Sequence, residues 1–102
     1  MTIACTKSND GHNVTITVSG KFDFQLYDEF RSSYSDVSEG GSVQYSVDLG
    51  STDYMDSSAL GMLLLLREHG GGDNAKIEIV NASTEVTKIL EVANFSKLFS
   101  IK

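Results

Sequence analysis

The sequence predicts an α/β domain built on a mixed sheet of four or five strands, with helices packed mainly on one face. Three observations carry that expectation. Segments with period-two alternation take turns along the chain with segments of helical period. The apolar series Val43, Tyr45, Val47, Leu49 leads into a helix and then into a further strand, Lys76-Ile77-Glu78-Ile79-Val80, which is the βαβ order of parallel strands. The chain has 102 residues and no internal repeat, linker or low-complexity segment, enough for one core and not for two. A single domain over residues 1–102 is expected.

The elements follow in order. Ile3 to Thr6 can form a short first strand, and Asp10-Gly11-His12 is a turn signal. From Asn13 to Ser19 the sequence alternates, with Val14, Ile16 and Val18 on one side and Thr or Ser on the other. That is a half-buried antiparallel strand, so the first two strands read as a hairpin. Gly20-Lys21-Phe22-Asp23-Phe24 breaks the pattern. A helix is expected from Gln25, with Tyr27, Phe30, Tyr34 and Val37 on one face and Glu39-Gly40-Gly41 as its stop.

Ser42 to Leu49 reads as the third strand, and Gly50 to Asp56 as a loop. The run Ala59 to Leu66 is apolar nearly all round, which predicts a deeply packed helix, and Gly70-Gly71-Gly72 ends it. After the strand Lys76 to Val80, Val86, Ile89, Leu90 and Ala93 form a helical stripe. Thr84 and Thr87 make half a capping box, and Asn94 suits the C-terminal cap. Phe95, Leu98, Phe99 and Ile101 close the core through a short turn and a final edge strand.

Charge and composition narrow the partners. A net charge of −6, with eight Lys and Arg scattered singly, argues against nucleic acid, because no basic cluster could neutralise phosphates. A basic partner is the more natural expectation. Cys5 is the single cysteine and cannot form an internal disulfide. With no apolar leader at the N-terminus, a reducing cytoplasm is expected. No apolar stretch approaches the roughly 20 residues of a spanning helix.

Catalytic and metal chemistry finds little support. His12 and His69 have no partner at ligand spacing, and no Cys-x-x-Cys exists, so neither metal nor cofactor is expected. Cys5 reads as packing on a short strand. There is no Gly-x-Ser-x-Gly elbow and no P-loop. Asp23 and Asp56 both follow apolar strand ends and are expected near each other, but an acid–base pair needs a pocket that a domain this small is not expected to supply. The chain does not read as an enzyme.

The most informative stretch is Tyr54-Met55-Asp56-Ser57-Ser58-Ala59-Leu60-Gly61. A hydroxyl directly before an apolar helical run can cap the helix, so Ser57 or Ser58 as N-cap, worth ~1 kcal/mol, is the bland reading. The whole pattern says more. It resembles the Asp-Ser-Ser-Gly-Leu-Gly signature of the STAS family, specifically the bacterial anti-sigma factor antagonists. Ser19-Gly20-Lys21-Phe22-Asp23 is similar to that family's turn after the second strand, and the strand ending in Asp48-Leu49 to its third strand. The resemblance spans residues 10 to 99. Ala59 departs from the family's usual glycine, a change that favours helix. The sequence also stops soon after Ile101, where many relatives carry a further helix, so that face is expected to be smaller or differently covered.

The resemblance implies a STAS-like fold and a partner-switching regulator of transcription. Ser57 is then the phosphorylated residue, modified by an anti-sigma factor with kinase activity and restored by a serine phosphatase, with a response regulator as one form of the latter. Asp23, Asp56, Ser57, Ser58, Leu60 and Met62 are the expected partner-binding residues. Ser58 is the nearest competitor for the modification, though one residue further into the helix its hydroxyl more easily satisfies backbone groups. A monomer that forms heteromeric complexes in the cytoplasm is the default. Two other readings stay open: a STAS-type docking subunit of a transporter or membrane complex with no phosphoswitch, and nucleotide binding or hydrolysis at the helix tip.

Overall fold

The computed structural model describes residues 3–37 and 42–102. Its strands are β1 (Ile3–Lys7), β2 (Asn13–Phe22), β3 (Gln44–Met55), β4 (Lys76–Val80) and β5 (Ser100–Ile101). Its helices are α1 (Tyr27–Tyr34), α2 (Ser57–His69) and α3 (Thr84–Val92), in the order ββαβαβαβ. Single 3-10 turns occupy Phe24–Leu26, Gly72–Asn74 and Phe95–Lys97. The five strands form one sheet in the order β1-β2-β3-β4-β5. β1 and β2 are an antiparallel hairpin, and every later pair is parallel.

This topology places the helices. Each crossover after β2 moves one strand over in the same direction, so right-handed connections put α1, α2 and α3 on the same face. Burial agrees: Val14, Ile16, Val18, Tyr45, Val47, Leu49, Ile77 and Ile79 are buried under the helices. Their neighbours Thr15, Thr17, Ser46, Asp48 and Glu78 line the other, half-open face. The α/β class and the helices on one face are therefore as the sequence predicts.

Several local expectations need correction. The third strand does not stop at Leu49 but runs to Met55, and β2 runs with it to Phe22. The ladder continues as Ser19↔Ser51, Gly20↔Thr52, Lys21↔Tyr54 and Phe22↔Met55, across register shifts at Thr17/Ser19 and Gly20/Lys21. Such bulges remove the period-two signature while keeping the strands paired. Gly20, at φ +82, supplies the backbone turn this requires. Thr52 is buried in this extension, and its hydroxyl donates to the Val18 carbonyl at 2.8 Å.

The first helix begins with a 3-10 turn at Phe24 and ends at Tyr34; Glu39-Gly40-Gly41 lie outside the described residues. Ser83, not Thr84, caps α3, its Oγ accepting from the Val86 N–H at 3.2 Å. Asn94 follows the cap residue Ala93 in the left-handed region at φ 62, where asparagine is tolerated. Cys5 is exposed on the edge strand rather than packed. Its thiol donates to the Ser33 carbonyl at 3.2 Å, and partial burial raises its pKa, so it is a poor nucleophile.

Helix α2 departs from expectation in the way that matters most. Ala59, Met62, Leu63 and Leu66 are buried, and burial of each of the three larger side chains contributes roughly 1.5–3 kcal/mol. Leu64 and Leu65, by contrast, are 39% and 45% exposed. A one-sided helix layer covers the sheet, but none of the described residues covers Leu64 and Leu65, so an all-round apolar helix keeps an oily outer face.

Candidate functional site

The site is built where β2 and β3 end together. Phe22 and Met55 are register partners, and the chain leaves each of them through an aspartate. Asp23 accepts the Gln25 N–H at 3.1 Å and caps the 3-10 turn. Asp56 accepts the N–H groups of Ser58 at 3.0 Å and Ala59 at 3.2 Å and caps α2. A backbone bond from the Asp56 N–H to the Phe22 carbonyl, at 3.4 Å, ties the two ends together.

The N-cap is thus Asp56, neither Ser57 nor Ser58. A carboxylate one residue before the first helical position can take two orphan N–H groups and also complements the positive helix end. Ser57 is then the first helical residue. It is exposed, and its hydroxyl has no hydrogen-bond partner among the described residues. Ser58 is half-buried; its backbone N–H is held by Asp56, while its hydroxyl likewise has no partner among the described residues, contrary to the expected backbone bond.

The two serines look to opposite sides of α2. Ser57 lines a groove of about 420 Å³ against α3, with Met55 and Leu60 on one wall and Ile89, Val92 and Ala93 on the other. Asp56 and Lys88 complete it. Ser58 lines a groove of about 310 Å³ toward α1, with Phe24, Tyr27, Gly61, Met62 and Leu65. The Phe24 and Tyr27 rings stack there, with centroids 5.5 Å apart. Of the expected contact residues, Leu60 borders the first groove, whereas Met62 is only 2% exposed and belongs to the core beneath the second. An i+3 step from Ala59 places Met62 on the inward stripe of the helix.

Sequence reasoning missed the exposed apolar residues around the site. Val92 is 85% exposed, Phe24 67% and Tyr54 50%. Val92 carried a readable signal, since it lies off the Val86–Ile89–Leu90–Ala93 stripe and has nothing inside to pack on. The two histidines have structural engagements elsewhere. The His69 Nε2–H donates to the Val37 carbonyl at 2.7 Å, and the His12 Nδ1 lies 3.4 Å from the Ser42 carbonyl. Among the described residues no three His, Cys, Asp or Glu side chains gather in a metal-holding group, and no helix is long and apolar enough to cross a membrane.

Comparison with known proteins bears on the fold. Residues 5–100 match a family model described as "Mlab, STAS domain". A STAS-domain containing protein of Pseudomonas aeruginosa strain UCBPP-PA14 is 50% identical over 101 residues, covering 99% of both chains. Two solved structures share the fold at low identity. The anti-sigma factor antagonist SpoIIAA in its unphosphorylated form is 15% identical with a TM-score of 0.68, over 98% of this chain and 86% of that one. An anti-sigma factor antagonist from Mycobacterium paratuberculosis is 16% identical with a TM-score of 0.72, over 97% and 84%.

Proposed function

The chain belongs to the STAS domain family, and from that premise we propose that it is an anti-sigma factor antagonist switched by phosphorylation of Ser57. One observation carries the reading: Ser57 holds a free, exposed hydroxyl at the start of a rigidly packed helix, beside an apolar groove. In the unmodified state the helix tip and its grooves bind an anti-sigma factor and so release the sigma factor. A partner kinase transfers the γ-phosphoryl group of ATP to the Ser57 oxygen, with loss of the hydroxyl proton and departure of ADP. A serine phosphatase hydrolyses the ester and resets the switch. The domain works in the cytoplasm and catalyses nothing itself.

Electrostatics supplies the switch. Phosphate adds about −1.5 to −2 charges at pH 7. Asp56 is the neighbouring residue, and Asp23 and Asp53 carry further negative charge at the same end of the sheet. A charge left buried and unpaired at an interface costs roughly 2–5 kcal/mol, which is about 30- to several-thousand-fold in affinity. The phosphate needs no change of fold, because it sits outside the core at a helix end that favours anions.

A pull-down with Ser57→Ala and Ser57→Asp baits tests this. The alanine bait is expected to retain the anti-sigma factor and the aspartate bait to lose it. Equal retention by both would favour the rival reading of a constitutive docking subunit. Capture of a transporter or membrane component in place of an anti-sigma factor would favour it still more directly.

A further inference from the structure

We infer that Lys88 is the residue of this chain that reads the state of Ser57: when the hydroxyl carries a phosphate, the Lys88 ammonium pairs with it across the α2/α3 groove. This rests on the proposed phosphorylation of Ser57 and adds the counter-charge that receives it. Ser57 stands at the first position of α2 and Lys88 in the middle of α3, yet both line the same groove. Lys88 is the single cation among the residues lining it, and Asp56 the single anion.

Lys88 is also available. It makes no hydrogen bond or ion pair among the described residues, whereas Lys7, Arg67 and Lys102 each hold a carboxylate. Asp56 does not compete well for it, because one of its oxygens already accepts two backbone N–H groups and it carries a single charge. A phosphate on Ser57 brings up to twice that charge and three acceptor oxygens to the same cavity. The other lining residues, Met55, Leu60, Ile89, Val92 and Ala93, are apolar, so the groove offers a phosphate no other side-chain cation.

Pairing has a consequence for docking. A Lys88 side chain drawn toward the α2 tip lays its methylene stem against the apolar residues of the groove, since long cationic side chains cover apolar surface while keeping the charge in water. The phosphorylated domain therefore loses an open groove as well as a neutral hydroxyl. Both changes oppose the same partner.

The test is a phosphorus NMR pH titration of the full chain carrying genetically encoded phosphoserine at position 57, with Lys88 intact, as Lys88→Gln and as Lys88→Arg. Lys88 is exposed, so both variants should fold, which nitrogen–proton spectra will verify. A cation beside the phosphate favours its dianion. The second acid dissociation constant is expected to be about 2- to 10-fold larger with Lys88 intact or as Lys88→Arg than as Lys88→Gln. Equal constants in all three proteins overturn the assignment. Encoded phosphoserine bypasses any kinase, so failure of Ser57 to be phosphorylated by a natural partner would bear on the proposed function alone.

Discussion

Phe22 and Met55 face each other as the last residues of two adjacent parallel strands, and each passes the chain to an aspartate that caps the element that follows. The register of the sheet thereby sets the position of the α2 tip. Ser57 is two residues from a hydrogen-bonded ladder, and the helix behind it is anchored by Leu63 and Leu66, both fully buried. The backbone that carries this hydroxyl is anchored, while the hydroxyl itself is exposed.

The first prediction concerns that anchor. Asp56→Ala removes the acceptor for two N–H groups and should cost about 0.5–2 kcal/mol in urea or thermal unfolding. Asp56→Asn should recover most of the loss, because the amide oxygen can still cap. Asp56→Ala indistinguishable from wild type would mean that a serine takes over the cap.

The sequence made the element order, the hairpin, the βαβ unit and the exposed helix tip legible, because each rests on local periodicity or on a short motif. Three things were not legible, for separate reasons. The extension of β3 to Met55 is hidden by bulges, which preserve pairing while scrambling alternation. Asp56 and Ser57 both suit an N-cap, and only the backbone shows that the aspartate takes it. The exposure of Leu64 and Leu65 depends on what lies beyond the helix layer, a tertiary fact that amphipathic analysis of one helix does not contain.

Tyr45 lies wholly inside, and its hydroxyl has no hydrogen-bond partner among the described residues. A buried donor without a partner costs stability, so Tyr45→Phe should be neutral or stabilising by about 1 kcal/mol. Burial also pushes the phenol pKa up from 10.0 to about 12. A pKa raised on folding means that the neutral form is favoured inside, so its contribution is complete below pH 10 and is lost as pH rises toward 12. Wild type should therefore lose stability faster than Tyr45→Phe over that window, as read by chemical denaturation at stepped pH.

Glu78 behaves in the opposite sense. Its carboxylate accepts from the Ser46 hydroxyl at 2.7 Å and pairs with Lys102 at 2.9 Å, and these two contacts hold its pKa below the ordinary 4.5. A pKa lowered on folding contributes stability above the unfolded value, and this is lost as pH falls through the folded value. Glu78→Gln should be less stable than wild type at about pH 7, with a smaller difference once the pH is well below 4.5. A constant gap at both pH values would mean that the charge plays no part.

The two faces of the helix layer should separate stability from docking. Leu66 is fully buried, and Leu66→Ala should cost roughly 2–5 kcal/mol through lost burial and a residual cavity. Val92 projects into solvent beside the groove that Ser57 shares, so Val92→Asp should change unfolding free energy by no more than about 0.5 kcal/mol. It should nevertheless weaken capture of the proposed anti-sigma partner by about tenfold or more, since it puts a charged, hydrated group on the apolar wall that would have to be desolvated on docking. Calorimetric titration with the purified partner, alongside thermal unfolding of the same samples, measures both. Undiminished binding by Val92→Asp would move the docking surface to the opposite side of α2, where Phe24, Tyr27 and Leu65 present the other exposed apolar face.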